Sequence, residues 1–212
     1  MQTPLLEQVE PRLREQAREL ICAHPLATLM TTSEIGIAAD CVPFVLVEEQ
    51  GGWWLRAHLA RNHPRLRCMT DKPVLVVFQG ANGYVTPTWY PGKHEHGRVV
   101  PTWLYSMVQL GGQARLVDDP AWLAAQLMAL TELQERELPQ PWRVEDAPAD
   151  YLAALKRGII GLEIAVTSLE GRWKLGQQRS VADRLGVLQG LTREGDNPLL
   201  VAQLTALEQA RQ

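Results

Sequence analysis

Ile37–Leu59 reads IAADCVPFVLVEEQGGWWLRAHL, and this stretch decides the fold. Ile37–Glu48 and Trp53–Leu59 are rich in β-branched, leucine and aromatic residues, the composition of strands that bury one face. Gln50-Gly51-Gly52 separates them and reads as a hairpin turn, because glycine supplies the backbone angles a tight connection needs. A strand pair therefore sits near the start of the chain.

Working outward, Leu26–Thr31 has the same character and gives a strand before the pair. Ahead of it, Pro11–Ala23 changes period. Leu13, Ala17, Leu20 and Ile21 share one face, Pro11 suits the first turn, and His24-Pro25 ends the helix. On the other side, Arg61–Met69 reads as a short helix leaving a strand, and Val74–Phe78 as a buried strand bounded by Pro73 and Gly80. Gly83–Val85 and Val99–Leu110 continue the β pattern, with a bulge or bend expected at Gly111-Gly112. Helices are expected over Pro120–Leu138, Pro148–Arg157, Val181–Gln189 and Pro198–Arg211, and a strand over Ile159–Leu169. Many short strands with few helices among them favour a closed or nearly closed barrel. The expected architecture is one α+β unit spanning 1–212, with an N-terminal helix and a C-terminal helical annex.

Composition narrows the function. The formal net charge is −3, with 21 basic and 24 acidic residues, and no basic stripe marks a nucleic-acid face. Cys22, Cys41 and Cys68 are odd in number and widely spaced, so they read as buried reduced thiols rather than as a disulfide framework. No apolar run approaches the ~20 residues that span a bilayer, and the first residues lack an export signal. A cytoplasmic protein with no membrane association is expected. There is no G-x-G-x-x-G after a strand, no Walker loop and no G-x-S-x-G elbow. None of the four serines stands in a nucleophile context. His94-Glu95-His96 is the one cluster suggestive of a metal, but it lacks a third ligand and reads as a loop, so no metal is expected. The last two helices invite a helix-turn-helix reading. Against it stand the long connection Gly190–Asn197 and an apolar, neutral second helix.

Four stretches place unusual chemistry where a barrel does not need it. In His58-Leu59-Ala60-Arg61-Asn62-His63-Pro64, a cation and an amide at a helix start would make an anion pocket. Tyr84-Val85-Thr86-Pro87-Thr88-Trp89-Tyr90, followed by Lys93, combines hydroxyls, aromatics and a cation, as a planar phosphorylated ligand requires. Val99-Val100-Pro101-Thr102-Trp103-Leu104-Tyr105 repeats that chemistry on the next strand. Glu170-Gly171-Arg172-Trp173-Lys174-Leu175-Gly176-Gln177-Gln178-Arg179 puts three cations and two amides in a turn. Read singly, each also admits a bland role: helix capping, core packing or a solvated turn.

In this order the four stretches resemble the PaiB family, whose members show H-L-A-R-A-N-P, Y-I-S-P-S-W-Y, V-P-T-W-N-Y and K-L-S-Q-N-R. His24–Leu29, Pro141-Trp142 and Ile159–Ile164 are similar too, so the likeness runs from about His24 to Val187. The resemblance implies an FMN-binding split β-barrel of the pyridoxamine-phosphate-oxidase type with flanking helices, usually a homodimer, and a role as a transcriptional regulator. It implies that His58, Arg61 and Asn62 hold the phosphate. Thr86, Thr88, Trp89, Thr102 and Trp103 would wall the site, and Lys174, Gln177 and Arg179 would reach it. The chain departs from the pattern at Leu104 (asparagine in relatives), at Gly176 (serine) and at Cys41 (often histidine). DNA as a partner follows from family analogy alone. An FMN-dependent oxidoreductase is the alternative, although no general acid or base stands out. A heme-binding split barrel using His58, His63, His94 or His96 is a third reading.

Overall fold

The computed structural model describes residues 9–34, 36–49 and 51–211. In chain order the elements are helix α1 (Pro11–Ala23), strands β1 (Leu26–Ser33), β2 (Gly36–Pro43), β3 (Val45–Glu49) and β4 (Gly52–Ala60), helix α2 (Leu66–Met69), and strand β5 (Lys72–Val85). There follow α3 (Gly92–Glu95), β6 (Thr102–Val117), α4 (Pro120–Glu135), α5 (Ala149–Arg157), β7 (Ile159–Lys174), α6 (Val181–Glu194) and α7 (Pro198–Gln209). The strands form one seven-stranded sheet in the order β2-β1-β5-β6-β7-β4-β3. The pairs β1–β2, β1–β5, β3–β4 and β4–β7 are antiparallel.

The β3–β4 hairpin is the one read from Ile37–Leu59, with Glu49 opposite Gly52; Gln50 lies outside the described residues. Ile37–Glu48 is two strands rather than one, broken where Pro43 gives way to the buried Phe44. Three strands are longer than expected. Val74–Phe78 and Gly83–Val85 are parts of β5, β6 extends to Val117, and β7 continues past Leu169 to Lys174. Glycines misled the reading, because here they sit inside strands where another chain segment comes close. A Cβ on Gly112 would lie 2.5 Å from the Ala165 carbonyl oxygen, and one on Gly83 would lie 2.9 Å from Leu200.

Helix ends follow their caps. Asp119 accepts from the backbone N–H of Ala121 and Trp122 to start α4. Ser180 caps α6 through the Asp183 N–H, and Asn197 caps α7 through the Leu200 N–H. Helix α6 runs to Glu194, beyond the expected Gln189, and stops at Gly195 with φ +75°. The α6–α7 connection is therefore only Gly195–Asn197, the length of a helix-turn-helix turn, and that objection to the motif falls. The other stands: α7 is apolar and carries no cation. Arg61–Met69 is mostly turn, with α2 confined to four residues. Cys41 is exposed, and Cys22 and Cys68 are half-buried, so the thiols are free but not buried. Among the described residues no helix is long and apolar enough to cross a membrane.

The chain divides into two compact units, residues 1–78 with 108–170 and residues 79–107 with 171–212. The first has a core that includes Leu29, Phe44, Trp53, Leu55, Val76, Phe78, Leu162 and Ile164, with Phe44 and Phe78 edge to face. Its helix α4 meets the sheet through a polar layer. The buried Glu163 carboxylate accepts from Arg56 Nε (2.7 Å), Arg115 Nε (2.8 Å) and Trp122 Nε1 (3.3 Å). The second unit packs α6 and α7 on Val85, Tyr90, Leu104 and Leu175 through Val187, Leu191, Leu200 and Leu204.

Candidate functional site

In the second unit, β7 ends at Lys174 and the chain turns back through Leu175–Arg179. Gly176 adopts φ +75°, a conformation that favours glycine. The Gln177 carboxamide serves the turn itself. Its oxygen accepts from the Leu175 N–H (2.9 Å) and its nitrogen donates to the Trp173 carbonyl. A cavity of about 600 Å³ opens here, lined by Thr102, Tyr90 and Tyr105 and by the cations Arg172, Lys174 and Arg179, with Leu104 and Gln177 also in its wall.

The charge of this cavity is uncompensated. Among the described residues none of Arg172, Lys174 and Arg179 forms an ion pair. Instead the Arg179 guanidinium stands 4.8 Å from the Tyr90 ring centre, and Lys174 Nζ stands 5.9 Å from that of Tyr105. Burial pushes the Tyr90 hydroxyl above its ordinary pKa, with Asp183 adding to the effect and Arg179 opposing it. Tyr90 is therefore a neutral O–H donor. Leu104, where relatives carry asparagine, is buried and gives the cavity an apolar wall.

Thr102, Lys174, Gln177 and Arg179 are thus brought together, whereas Thr86, Thr88, Trp89 and Trp103 lie outside this wall. Thr86 caps the short 3₁₀ turn Pro87–Trp89, its hydroxyl 2.6 Å from that of Thr88. The Trp89 indole packs on α6, where a Cβ on Gly190 would come within 2.3 Å of it. Trp103 is exposed, donates to Asn82 Oδ1 (3.0 Å) and meets Tyr84 edge to face. Tyr90, Tyr105 and Arg172, which lie in the quoted stretches but outside the residues that the resemblance implies, also line the cavity. Arg172 and Lys174 share a strand face two residues apart, because β7 continues through both instead of giving way to the expected turn.

In the first unit, His58, Arg61 and Asn62 occupy the end of β4 and the turn after it. His58 Nδ1 is 2.8 Å from Oε1 of the buried Gln126. Arg61 grips both oxygens of Asp118 and donates from Nε to the Arg157 carbonyl (3.0 Å). The Arg61 hydrogen bonds hold the Asp118 carboxyl below the usual carboxylate range. The expected helix start is absent at this point. The N-cap of α2 is Arg65, without a side-chain cap, and Asn62 is exposed. The N–H groups of Arg61 and His63 already donate to Gly158 and Ala60.

The chain is similar to a known family and to several known proteins. Residues 7–168 match the family described as "Putative FMN-binding domain". The chain is 31% identical to an uncharacterized protein of Emericella nidulans, covering 84% of this chain and 86% of that one. It is 26% identical to the protease synthase and sporulation protein PAI 2 of Bacillus subtilis, covering 87% and 86%. Among solved structures it is similar to the FAD and heme binding protein from Mycobacterium smegmatis (TM-score 0.51, 17% identity, 76% and 71% covered). It is also similar to the flavocytochrome Anf3 from Azotobacter vinelandii (TM-score 0.54, 14% identity, 81% and 72% covered). At such identities the structures speak for the fold alone, the α+β split barrel. The donor set of the cavity, three cations with phenol and threonine hydroxyls beside aromatic rings, fits a phosphorylated flavin. The chain belongs to the PaiB-type family of FMN-binding split-barrel proteins.

Proposed function

We propose that the chain is a cytoplasmic, homodimeric FMN-binding protein whose second unit holds the phosphate-bearing end of the cofactor. We further propose that it acts as a regulator through its flavin rather than by reading DNA. The observation that carries this is the set of three cations in one aromatic-walled cavity that find no carboxylate among the described residues. A phosphomonoester brings about −1.5 to −2 charges at neutral pH, which such a cavity can neutralise. Arg172, Lys174 and Arg179 would bind the phosphate, Thr102 and Tyr90 would donate to it, and Tyr105 would shield the site from water. When bound, FMN supplies one- and two-electron transfer chemistry. The apolar α7, which carries Glu208 and no cation, supports a role that does not involve reading DNA directly. For the phosphate role implied for His58, Arg61 and Asn62, Asp118 would have to release Arg61.

A second reading, FMN-dependent oxidoreductase, is favoured by one feature: the Tyr90 hydroxyl, kept neutral by burial, is a hydrogen-bond donor in the cavity wall that would orient a substrate. Oxidation of a nicotinamide cofactor in the presence of FMN tests it.

The test of the main reading is an FMN titration followed by flavin fluorescence, with riboflavin in parallel and light scattering for the dimer. Saturable FMN binding, weakened in Lys174→Ala and Arg179→Ala while riboflavin binding holds, is expected. A protein that ignores FMN, or that shows a Soret band instead, refutes the reading.

A further inference from the structure

We infer that Arg184, on the first turn of α6, is a positioning residue: it ties the turn that carries Arg179 to α7 through Glu208, and so sets the cavity's preference for a phosphorylated ligand. This rests on the reading of the cavity given above.

The geometry is that of a three-way fork. Arg184 Nη1 donates to the Arg179 carbonyl oxygen at 2.7 Å. Its Nε and Nη2 reach the two oxygens of Glu208 at 2.7 and 3.0 Å. Both side chains are only 15% exposed, so the bidentate pair is largely shielded from water and its donors are spoken for. Arg211 adds a further donor to Glu208 at 2.5 Å. Only a guanidinium can make these three bonds at once; a lysine ammonium has no planar fork.

The neighbouring residue grips the opposite wall. Asp183, buried beside Arg184, accepts the Gly92 N–H at 3.1 Å and so fixes the segment that carries Tyr90. Two consecutive residues of α6 therefore hold both members of the Arg179–Tyr90 pair. A small cleft shares Tyr90, Leu104, Gly176 and Arg179 with the main cavity and is closed by Arg184 and Glu208. The pair is thus part of the same construction, although it makes no wall of the main cavity itself. Both residues lie beyond position 168, where the match to the family ends. The α6–α7 hairpin also has its own apolar anchors in Val187, Leu191, Leu200 and Leu204, so loosening the fork leaves the hairpin docked.

The test uses the full chain with Arg184→Lys and Glu208→Gln. FMN and riboflavin affinities are measured by fluorescence titration, and amide hydrogen exchange is followed over residues 172–179. A loss of about tenfold in FMN affinity is expected, the size of one charge-assisted bond. Riboflavin affinity should be unchanged and exchange in the turn faster. Equal losses for both flavins, or unchanged exchange, would overturn the inference. Arg179→Ala is the control for the cavity itself: if it leaves FMN affinity intact, the cavity reading fails, and the exchange data alone then uphold or overturn the clamp.

Discussion

Glu163 provides the most exacting test of the fold. Its carboxylate is buried under α4 and uses both oxygens: Oε1 accepts from Arg115, and Oε2 accepts from Arg56 and Trp122. In Glu163→Gln one of those oxygens becomes an NH₂ that faces other donors. One side of the cluster then loses its acceptor while the shape of the side chain is kept. A hydrogen bond to a charged group contributes about 1.5–3 kcal/mol, and stranding a buried charge costs about 3–5 kcal/mol. Two facts reduce the upper figure here. Arg115 is 59% exposed and can turn to water, and Arg56 keeps its second partner, Glu49. The expected loss is about 2–3 kcal/mol, or a fall in Tm of about 5–10 °C for a chain of this length.

The pH dependence has a definite sign. Burial pushes the Glu163 carboxyl up, but the hydrogen bonds from Arg56 and Arg115 outweigh it, and the group sits below its ordinary value. A carboxyl depressed on folding contributes stability that is present above its unfolded pKa, about 4.3, and lost as pH falls through the folded value. The gap between parent and Glu163→Gln should therefore be full at neutral pH and close below about pH 4. Urea unfolding at neutral and acid pH measures both quantities. A loss under about 1 kcal/mol at neutral pH, or a gap that persists in acid, would refute the electrostatic account of how α4 is held.

Three further outcomes are expected. Gly186→Ala should destabilise the protein by about 1–3 kcal/mol despite the better helix propensity of alanine, because its Cβ would lie 2.2 Å from the Trp89 carbonyl oxygen; thermal melting that does not move would contradict this packing. Arg61→Ala should weaken FMN binding less than Lys174→Ala does, since Asp118 already engages Arg61; the reverse ranking would return the phosphate to the first unit. Cys41 should react with a soluble disulfide reagent faster than Cys22 or Cys68, and Cys41→Ser should abolish the fast phase, because Cys41 is the exposed thiol of the three.

Much of the fold could be read from local signals. Pro11–Ala23 is a helix to the residue because Pro11, the apolar face and His24-Pro25 all act within one segment. The β3–β4 hairpin followed from its glycines for the same reason. Strand length was another matter. Gly80, Gly83, Gly111 and Gly112 look like breaks, yet they lie within β5 and β6. What makes a glycine necessary at Gly112 is the Ala165 carbonyl across the sheet, 53 positions away in sequence by the numbering of the two residues. The site was half legible. Lys174, Gln177, Arg179 and Thr102 do meet, whereas Thr86, Thr88 and Trp89 serve a capped turn and the packing of α6.

What separates a ligand-binding cation from a structural one in this chain is its partner, and the partner is remote in sequence. Arg56, Arg61, Arg65, Arg115 and Arg184 all look as available as Arg172 or Arg179 when read in a row. Each of the five nevertheless finds a carboxylate: Glu163, Asp118, Asp40, Glu163 and Glu208 respectively. Those pairings span between 24 and 107 residues, so no motif could reveal them. Among the described residues Arg172, Lys174 and Arg179 find none, and aromatic faces accompany Lys174 and Arg179 instead. A cation left over an aromatic ring at the rim of a cavity keeps its charge for an incoming anion, whereas one already locked to a carboxylate must first break that pair. By this criterion the proposed phosphate site falls on the β7 turn, and the arginine of the H-L-A-R stretch would first have to leave Asp118 and the Arg157 carbonyl.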